Sequence, residues 1–217
     1  MGMYDQEQKE VLNCAKWLSE HGYFGGFRGS GGNISVKVDD QNIIAITPSG
    51  RPYWDMSFED ISVVDFDLKP VDAKHAPSKE AGMHAAIYQH RSDVKAVVHT
   101  HQTYASIFSI INQSIPALFD EIANEIGAVI EIVPYAISGS AELAQNVADR
   151  LGNQYLCYIL QNHGALSLGT TIDQAWKNTE LLEKAAQVYY HALMTGREIS
   201  RLPRETINYF NEKRKSG

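Results

Sequence analysis

The sequence predicts an α/β domain in which helices cover a mixed, largely antiparallel sheet. Three observations carry that expectation. Segments with strand character follow one another as neighbours in the first 70 residues. Helical periods are interspersed among the later strands without strict βαβ alternation, which disfavours a doubly wound parallel sheet. No repeat or long polar linker interrupts the 217 residues, a length that suits one hydrophobic core, so residues 1–217 read as a single domain.

Taken in order, Val11, Leu12, Ala15 and Leu18 recur at helical spacing, and Gly22 stops that first helix. A glycine-rich loop enters a strand around Ile34 to Val38. "NIIAITPSG" (42–50) reads as a second strand closing on a Pro-Ser-Gly turn, and "ISVVDFD" (61–67) as a third. Ser78 is placed to N-cap a helix over "KEAGMHAAIYQH" (79–90), with Glu80 in its first turn. "VKAVVHTH" (94–101) is a strand, followed by a helix from Tyr104; "AVIEIVPY" (128–135) is another strand. Ser140 caps a helix whose Leu143, Ala144, Val147 and Leu151 face inward before Gly152. "YLCYILQN" (155–162) and "GALSLG" (164–169) read as a hairpin, and a long helix runs from Ile172 to Met194, ending at Gly196.

A net charge of −7, with no basic stretch longer than the terminal "EKRKSG", argues against a nucleic-acid partner; that stretch reads as a solvated tail. No segment approaches the roughly 20 uninterrupted apolar residues of a membrane span. The polar start "MGMYDQEQKE" lacks an apolar signal core, so secretion is not expected. Cys14 and Cys157 read as buried thiols rather than a disulfide, which fits a reducing, cytoplasmic location.

Chemistry concentrates at strand ends and in small-residue turns. His99 and His101 are two apart, and residues i and i+2 of a strand project from one face, so both imidazoles can converge on one point. Two solvated strand-end histidines would show the same spacing. His163 ends another apolar strand immediately before Gly164, which permits a sharp exit, and can complete a three-histidine site. Three neutral imidazoles leave zinc an open position for substrate. Glu80 lies four residues before His84 and shares its helix face. It is either a first-turn carboxylate complementing the helix dipole or a ligand and general base beside a metal.

The loop Gly29-Ser30-Gly31-Gly32-Asn33-Ile34-Ser35 is neither a dinucleotide fingerprint nor a P-loop. Its backbone can still point N–H groups at an anion, as can Thr47-Pro48-Ser49-Gly50 and Pro77-Ser78-Lys79 at a helix start. Three such turns within 80 residues suggest a phosphate cradle. His21, His75, His90 and His191 have no such setting and read as surface or satisfied histidines.

"SGGNIS" (30–35), "TPSG" (47–50), "PSKEAGMHAAIY" (77–88), "VVHTH" (97–101) and "QNHGAL" (161–166) resemble, in order and spacing, the motifs of the class II aldolase/adducin family. The resemblance spans roughly residues 5 to 195 and is strongest to the family's fuculose-phosphate aldolase branch. It implies a three-layer α/β/α fold with a largely antiparallel central sheet, assembled as a homotetramer with active sites at subunit interfaces. It implies His99, His101 and His163 as metal ligands, with Glu80 coordinating the resting metal and then acting as base. Gly32, Asn33, Ser49, Gly50, Ser78 and Lys79 match the phosphate-binding positions. Lys79 stands where that branch has a second serine, and lysine still suits phosphate as a point charge. Zinc is the implied ion, with cobalt or manganese as substitutes.

The implied reaction is metal-dependent retro-aldol cleavage of a ketose 1-phosphate, fuculose-phosphate-like or a deoxyketose phosphate, to dihydroxyacetone phosphate and an aldehyde. In the aldolases a tyrosine from a neighbouring subunit, just after a "SIPA" segment, serves as acid/base. Here "QSIPALFDEIANEIG" (113–127) places Asp120 at that position, and Asp120 or Glu121 is the expected replacement. The change leaves open another reaction on the same metal site: ribulose-phosphate 4-epimerisation, methylthioribulose-phosphate dehydration or tetronate-phosphate decarboxylation. A non-catalytic, adducin-like binding module is the remaining alternative.

Overall fold

Alternate residues of each strand feed opposite sides of one sheet, and that alternation decides where each helix packs. The computed structural model describes residues 2–25, 31–38 and 41–216, so Gly29 and Ser30 of the glycine-rich loop lie outside the described residues. The strands are β1 (Asn33–Lys37), β2 (Ile43–Ile46), β3 (Ser62–Asp65), β4 (Pro70–Asp72), β5 (Ala96–Thr100), β6 (Ile115–Pro116), β7 (Val129–Val133), β8 (Cys157–Leu160) and β9 (Gly164–Gly169). The helices are α1 (Asp5–Glu20), α2 (Ala81–His90), α3 (Thr103–Ile111), α4 (Asp120–Glu125), α5 (Ala141–Ala148), α6 (Ile172–Met194) and α7 (Arg204–Ser216).

Among the described residues the sheet has nine strands in the order β4-β3-β2-β1-β5-β9-β8-β7-β6. Its neighbours pair antiparallel except β7 with β8, so the expected mixed, largely antiparallel sheet is present. Val97, Ile44 and Ile46 pack with Met83 and Ile87 of α2 and with Leu143 and Val147 of α5. The intervening Ala96, Val98 and Ala45 pack instead with Val11, Leu12, Ala15 and Leu18 of α1. A third cluster joins Phe108 of α3, Ile122 of α4 and Leu182 of α6 to Ile130, Cys157 and Ile159. Leu18 is fully buried, and its truncation to alanine would cost about 2–5 kcal/mol in lost transfer energy and residual cavity.

The helix Ile172–Met194 has the expected bounds, and its Thr171 cap accepts Gln174 N–H at 3.2 Å. Ser140 caps α5 as expected, accepting Leu143 N–H at 3.1 Å. The start of α2 differs from the expectation. Glu80, not Ser78, is its N-cap residue, and Ser78 Oγ accepts the Glu80 N–H at 3.2 Å one step earlier. The cause is a bridge between two turns: Ser78 N–H donates to Thr47 O and Ser49 N–H to Ala76 O, both at 3.0 Å. That bridge holds residues 76–78 extended and delays the helix. The chain end also differs: residues 212–216 continue the helix α7, and Arg214 within them is not fully solvated. Arg214 on α7 is half-buried and donates to Ala123 O and Asn124 O, the last-turn carbonyls of α4.

Three central strands bring the chemistry together. Asn33 of β1 pairs with His99 of β5, and His99 in turn pairs with Leu166 of β9. Paired residues project to the same side, so Asn33 and His99 are set next to each other by register alone.

Candidate active site

His99 is fully buried near the end of β5, while His101 lies just past the strand, held by its N–H to Tyr23 O at 2.9 Å. His163 follows β8 in the turn to β9. The expected sharp exit at Gly164 is made instead by Asn162, which adopts φ 53°. Gly164 is required for a different reason. A Cβ there would overlap Thr100 O and stand 2.5 Å from His101 Cδ2, so only glycine leaves room for the imidazoles. Gly32 has a similar role, since a Cβ would stand 2.5 Å from His99 O and from the Phe24 ring.

The ring nitrogens converge. His99 Nδ1 lies 3.0 Å from Ala165 O. A carbonyl only accepts, so Nδ1 donates to it and Nε2 is the nitrogen turned to the site. His101 Nε2 is 2.9 Å from that Nε2, and the donor atoms of His99, His101 and His163 all lie within 4.8 Å of one another. Burial pushes His101 down to about 3 and His163 down to about 4, so both rings are neutral, the form that binds metal. His163 Nδ1 is buried with no hydrogen-bond partner among the described residues, which leaves its Nε2 as the engaged nitrogen. Three imidazole nitrogens turned toward one point fit zinc and its first-row neighbours.

Glu80 closes this cluster and is 5% exposed. Its Oε2 lies 3.3 Å from His99 Nε2 and its Oε1 3.2 Å from His163 Nε2. Asn33 Nδ2 donates to Oε2 at 2.7 Å, and Ser138 Oγ donates to Oε1 at 2.8 Å. Burial alone would raise this carboxyl. The neighbouring imidazoles and the two hydrogen bonds outweigh it and hold Glu80 below the usual carboxylate range. An ionised carboxylate beside three imidazoles can ligate a metal or take a proton from a substrate carbon.

Every residue of the expected phosphate set lines one pocket with Glu80, His101 and His163, about 280 Å³ in volume; Pro48 and Ser138 complete it. The amides of Ser49 and Ser78 are not free for an anion, because the turn-to-turn bridge uses them. Gly50 N–H and Lys79 N–H have no acceptor among the described residues, and the Lys79 ammonium is exposed beside them. Tyr53, fully buried, donates its hydroxyl to Gly32 O and holds Gly32 against the site.

Asp120 and Glu121 do not line this pocket. Both are exposed in the first turn of α4, and Glu121 pairs with Lys184 Nζ at 3.0 Å. His21, His75, His90 and His191 are satisfied by Trp17 O, Asp60, Ala86 O and Tyr104 respectively. Three contributors were missed in the sequence reading: Ser138, Tyr53 and His84. His84 is fully buried and bonded to both Asn33 and Ser35. Only His84 had a usable signal, the Glu-x-x-x-His-x-x-x-Tyr spacing of 80, 84 and 88 along one helix face.

Comparison with known proteins agrees with this geometry. Residues 9–190 match the family described as Class II Aldolase and Adducin N-terminal domain. The L-fuculose phosphate aldolase of Methanococcus maripaludis is 38% identical over 162 residues, covering 75% of this chain and 86% of the relative. The 5-deoxy-D-ribulose 1-phosphate aldolase of Bacillus thuringiensis serovar kurstaki is 29% identical over 211 residues, covering 97% and 96%. A solved L-fuculose 1-phosphate aldolase superposes with a TM-score of 0.88 at 32% identity, covering 97% of this chain and 96% of that one. The family match over residues 9–190 and the extent of the likeness to its relatives lead to one conclusion: this chain belongs to the class II aldolase and adducin family.

Proposed function

We propose that this protein is a zinc-dependent lyase that cleaves a ketose 1-phosphate by retro-aldol reaction to dihydroxyacetone phosphate and an aldehyde. The observation that carries the reading is the convergence of His99, His101, His163 and Glu80 on the pocket whose other side is the glycine–serine rim. An adducin-like module has no use for that convergence. Relatives named for fuculose-phosphate and 5-deoxyribulose-1-phosphate cleavage support the substrate class.

His99, His101 and His163 would hold the ion, with cobalt or manganese as workable substitutes. When bound, the ion polarises the substrate carbonyl and stabilises the negative charge that develops on its oxygen. The substrate phosphate docks on the rim, at Gly32, Asn33, the Gly50 and Lys79 amides, the Ser49 and Ser78 hydroxyls and the Lys79 ammonium. Cleavage removes the proton of the C4 hydroxyl, breaks the C3–C4 bond and leaves the electron pair on C3. Glu80 takes up a proton from solvent and delivers it to C3; in the synthetic direction the Glu80 carboxylate abstracts that proton.

Asp120 or Glu121 from a neighbouring copy takes the C4 hydroxyl proton in a homotetramer, since neither reaches the pocket of its own chain. One chain folds as one domain over residues 1–217, with α2 and α5 forming one layer and α1 and α6 the opposite one. The buried free thiols Cys14 and Cys157 support a cytoplasmic setting. Asp120 at the tyrosine position also favours a second reading, epimerisation, dehydration or decarboxylation of a related sugar phosphate on the same residues.

Incubation of the zinc-loaded protein with a panel of ketose 1-phosphates and ketopentose 5-phosphates, with products read by mass and NMR, separates these reactions. Dihydroxyacetone phosphate from a ketose 1-phosphate is the expected product; an epimer, a dehydrated sugar or carbon dioxide would replace the aldolase reading. Mixing Glu80→Gln chains with Asp120→Asn/Glu121→Gln chains tests the shared site. Mixed tetramers should regain activity, and none regained would return the acid/base to the same chain or to another residue.

A further inference from the structure

On α2, Glu80, His84 and Tyr88 form a stripe four residues apart that faces Asn33 and Ser35, two apart on β1. The spacings match physically. Four helical residues rise about 6 Å and two strand residues about 6.7 Å, so the stripe and the strand stay in step. We propose that His84 is a positioning residue that fixes the amide of Asn33, and through it the carboxylate of Glu80, by imposing one hydrogen-bond direction from Ser35 to Glu80. This deepens the reading of Glu80 as the base and rests on it.

The direction follows from the partners. Glu80 Oε2 accepts only, so Asn33 presents Nδ2 to it at 2.7 Å. Asn33 Oδ1 then faces His84 Nε2 at 2.6 Å, so that nitrogen carries the proton. The ring is fully buried and both of its nitrogens meet uncharged partners, Asn33 Oδ1 and Ser35 Oγ, so it is neutral and Nδ1 accepts. The donor to Nδ1 is Ser35 Oγ at 2.7 Å. With its proton used there, Ser35 Oγ can only accept, so the single Tyr88 proton is shared between Ser35 Oγ at 2.7 Å and Ser35 O at 3.0 Å. From Ser35 onward every donor therefore points toward the carboxylate, and Ser35 and His84 are fully buried. Reversing any one member would set two acceptors or two donors face to face without solvent.

The direction matters at both ends of the pocket. Asn33 has a second N–H and lines the pocket. In the observed orientation the amide offers a donor to Glu80 and its remaining N–H to an anion. In the flipped orientation the oxygen would confront the carboxylate. His84 thus couples base placement to phosphate grip without touching substrate.

The test uses the zinc-loaded full chain. Two-bond proton–nitrogen correlations on the histidine-labelled protein should show His84 as the neutral Nε2–H tautomer throughout about pH 5 to 8. His84→Leu should keep bound zinc. It should slow exchange of the dihydroxyacetone phosphate C3 hydrogen by about 10- to 100-fold, the usual loss when an outer hydrogen-bond partner is removed. It should also raise KM for the phosphorylated sugar. His84→Gln, whose Nε2 can replace the donor to Asn33, should recover most of that loss. A merely structural role would make both variants follow thermal stability instead. Should His84→Leu not fold, Ser35→Ala removes only the hydroxyl that holds Nδ1, and a several-fold loss of exchange is expected. An Nδ1–H tautomer, or wild-type exchange in a folded His84→Leu or Ser35→Ala protein, overturns the proposal. Absence of exchange in the wild type would instead overturn the aldolase reading and leave the tautomer to decide this one.

Discussion

The imidazole end and the turn end of the pocket differ in how their polar atoms are satisfied. Around Glu80 the side chains of Asn33, His84 and His99 are buried, and each finds a specific partner. On the rim, Gly50 and Lys79 are exposed and their amides have no acceptor among the described residues. One end is preorganised by buried, mutually bonded side chains, as electrostatic stabilisation of a reacting centre requires. The other is open and donor-rich, as an anion that must arrive and leave requires. The difference teaches that the two ends set separate properties: the first the reaction, the second the grip on substrate.

Substitutions should separate those properties. The largest effect belongs to the imidazoles: His99→Ala, His101→Ala or His163→Ala should lose stoichiometric metal, by elemental analysis, and activity by several orders of magnitude. Full metal and turnover in any of the three would remove that histidine from the set. Glu80→Gln should lower kcat by about 10²- to 10⁴-fold, the range of a general acid/base, while the metal stays. A change confined to KM would move Glu80 to the binding end. Lys79→Ala should weaken a phosphorylated substrate about tenfold, with kcat and the unphosphorylated sugar little affected. Equal losses for both sugars would show that Lys79 supports the turn rather than the phosphate.

The smallest effect is on stability. His84 is neutral when folded, with its pKa pushed down to about 3 by burial, against about 6.5 in the unfolded chain. Between those values the unfolded chain binds the extra proton, so stability is complete above about pH 6.5 and falls as pH drops toward about 3. His101 and His163 act in the same direction in the metal-free protein. The urea midpoint of the metal-free protein should therefore be lower at about pH 5 than at about pH 7.5. An unchanged midpoint would mean that these rings are already charged in the folded state.

The same contrast governs what the sequence reveals. The imidazole end was readable because His99 and His163 sit on long apolar runs whose strand character is unmistakable, with His101 following in step. The register that pairs Asn33 with His99, however, is a cross-strand fact with no local signal. His84 showed only its spacing from Glu80, since helix periodicity names a face but not what that face meets. Ser138 lies in a connection with no periodicity at all. The short elements were missed for related reasons: β4 is three exposed residues and β6 only two, below the length at which alternation can be counted. Near the C-terminus, the sequence shows only the charged end "EKRKSG" and hides the helix α7 that precedes and includes most of it, where Ile207 and Phe210 join the third core cluster. On the rim, the sequence located the turns but not the bridge that uses the Ser49 and Ser78 amides.

The most direct test of the central claim needs no knowledge of the aldehyde. Zinc-loaded protein is incubated with dihydroxyacetone phosphate alone in deuterium oxide, and the C3 hydrogens are followed by NMR. If Glu80, set between His99 and His163, is the base that works on this carbon, one of the two hydrogens exchanges stereospecifically in the wild type. In Glu80→Gln with its metal intact, the exchange is lost. A wild type that leaves both hydrogens in place, or a Glu80→Gln protein that exchanges at the wild-type rate, would contradict the account.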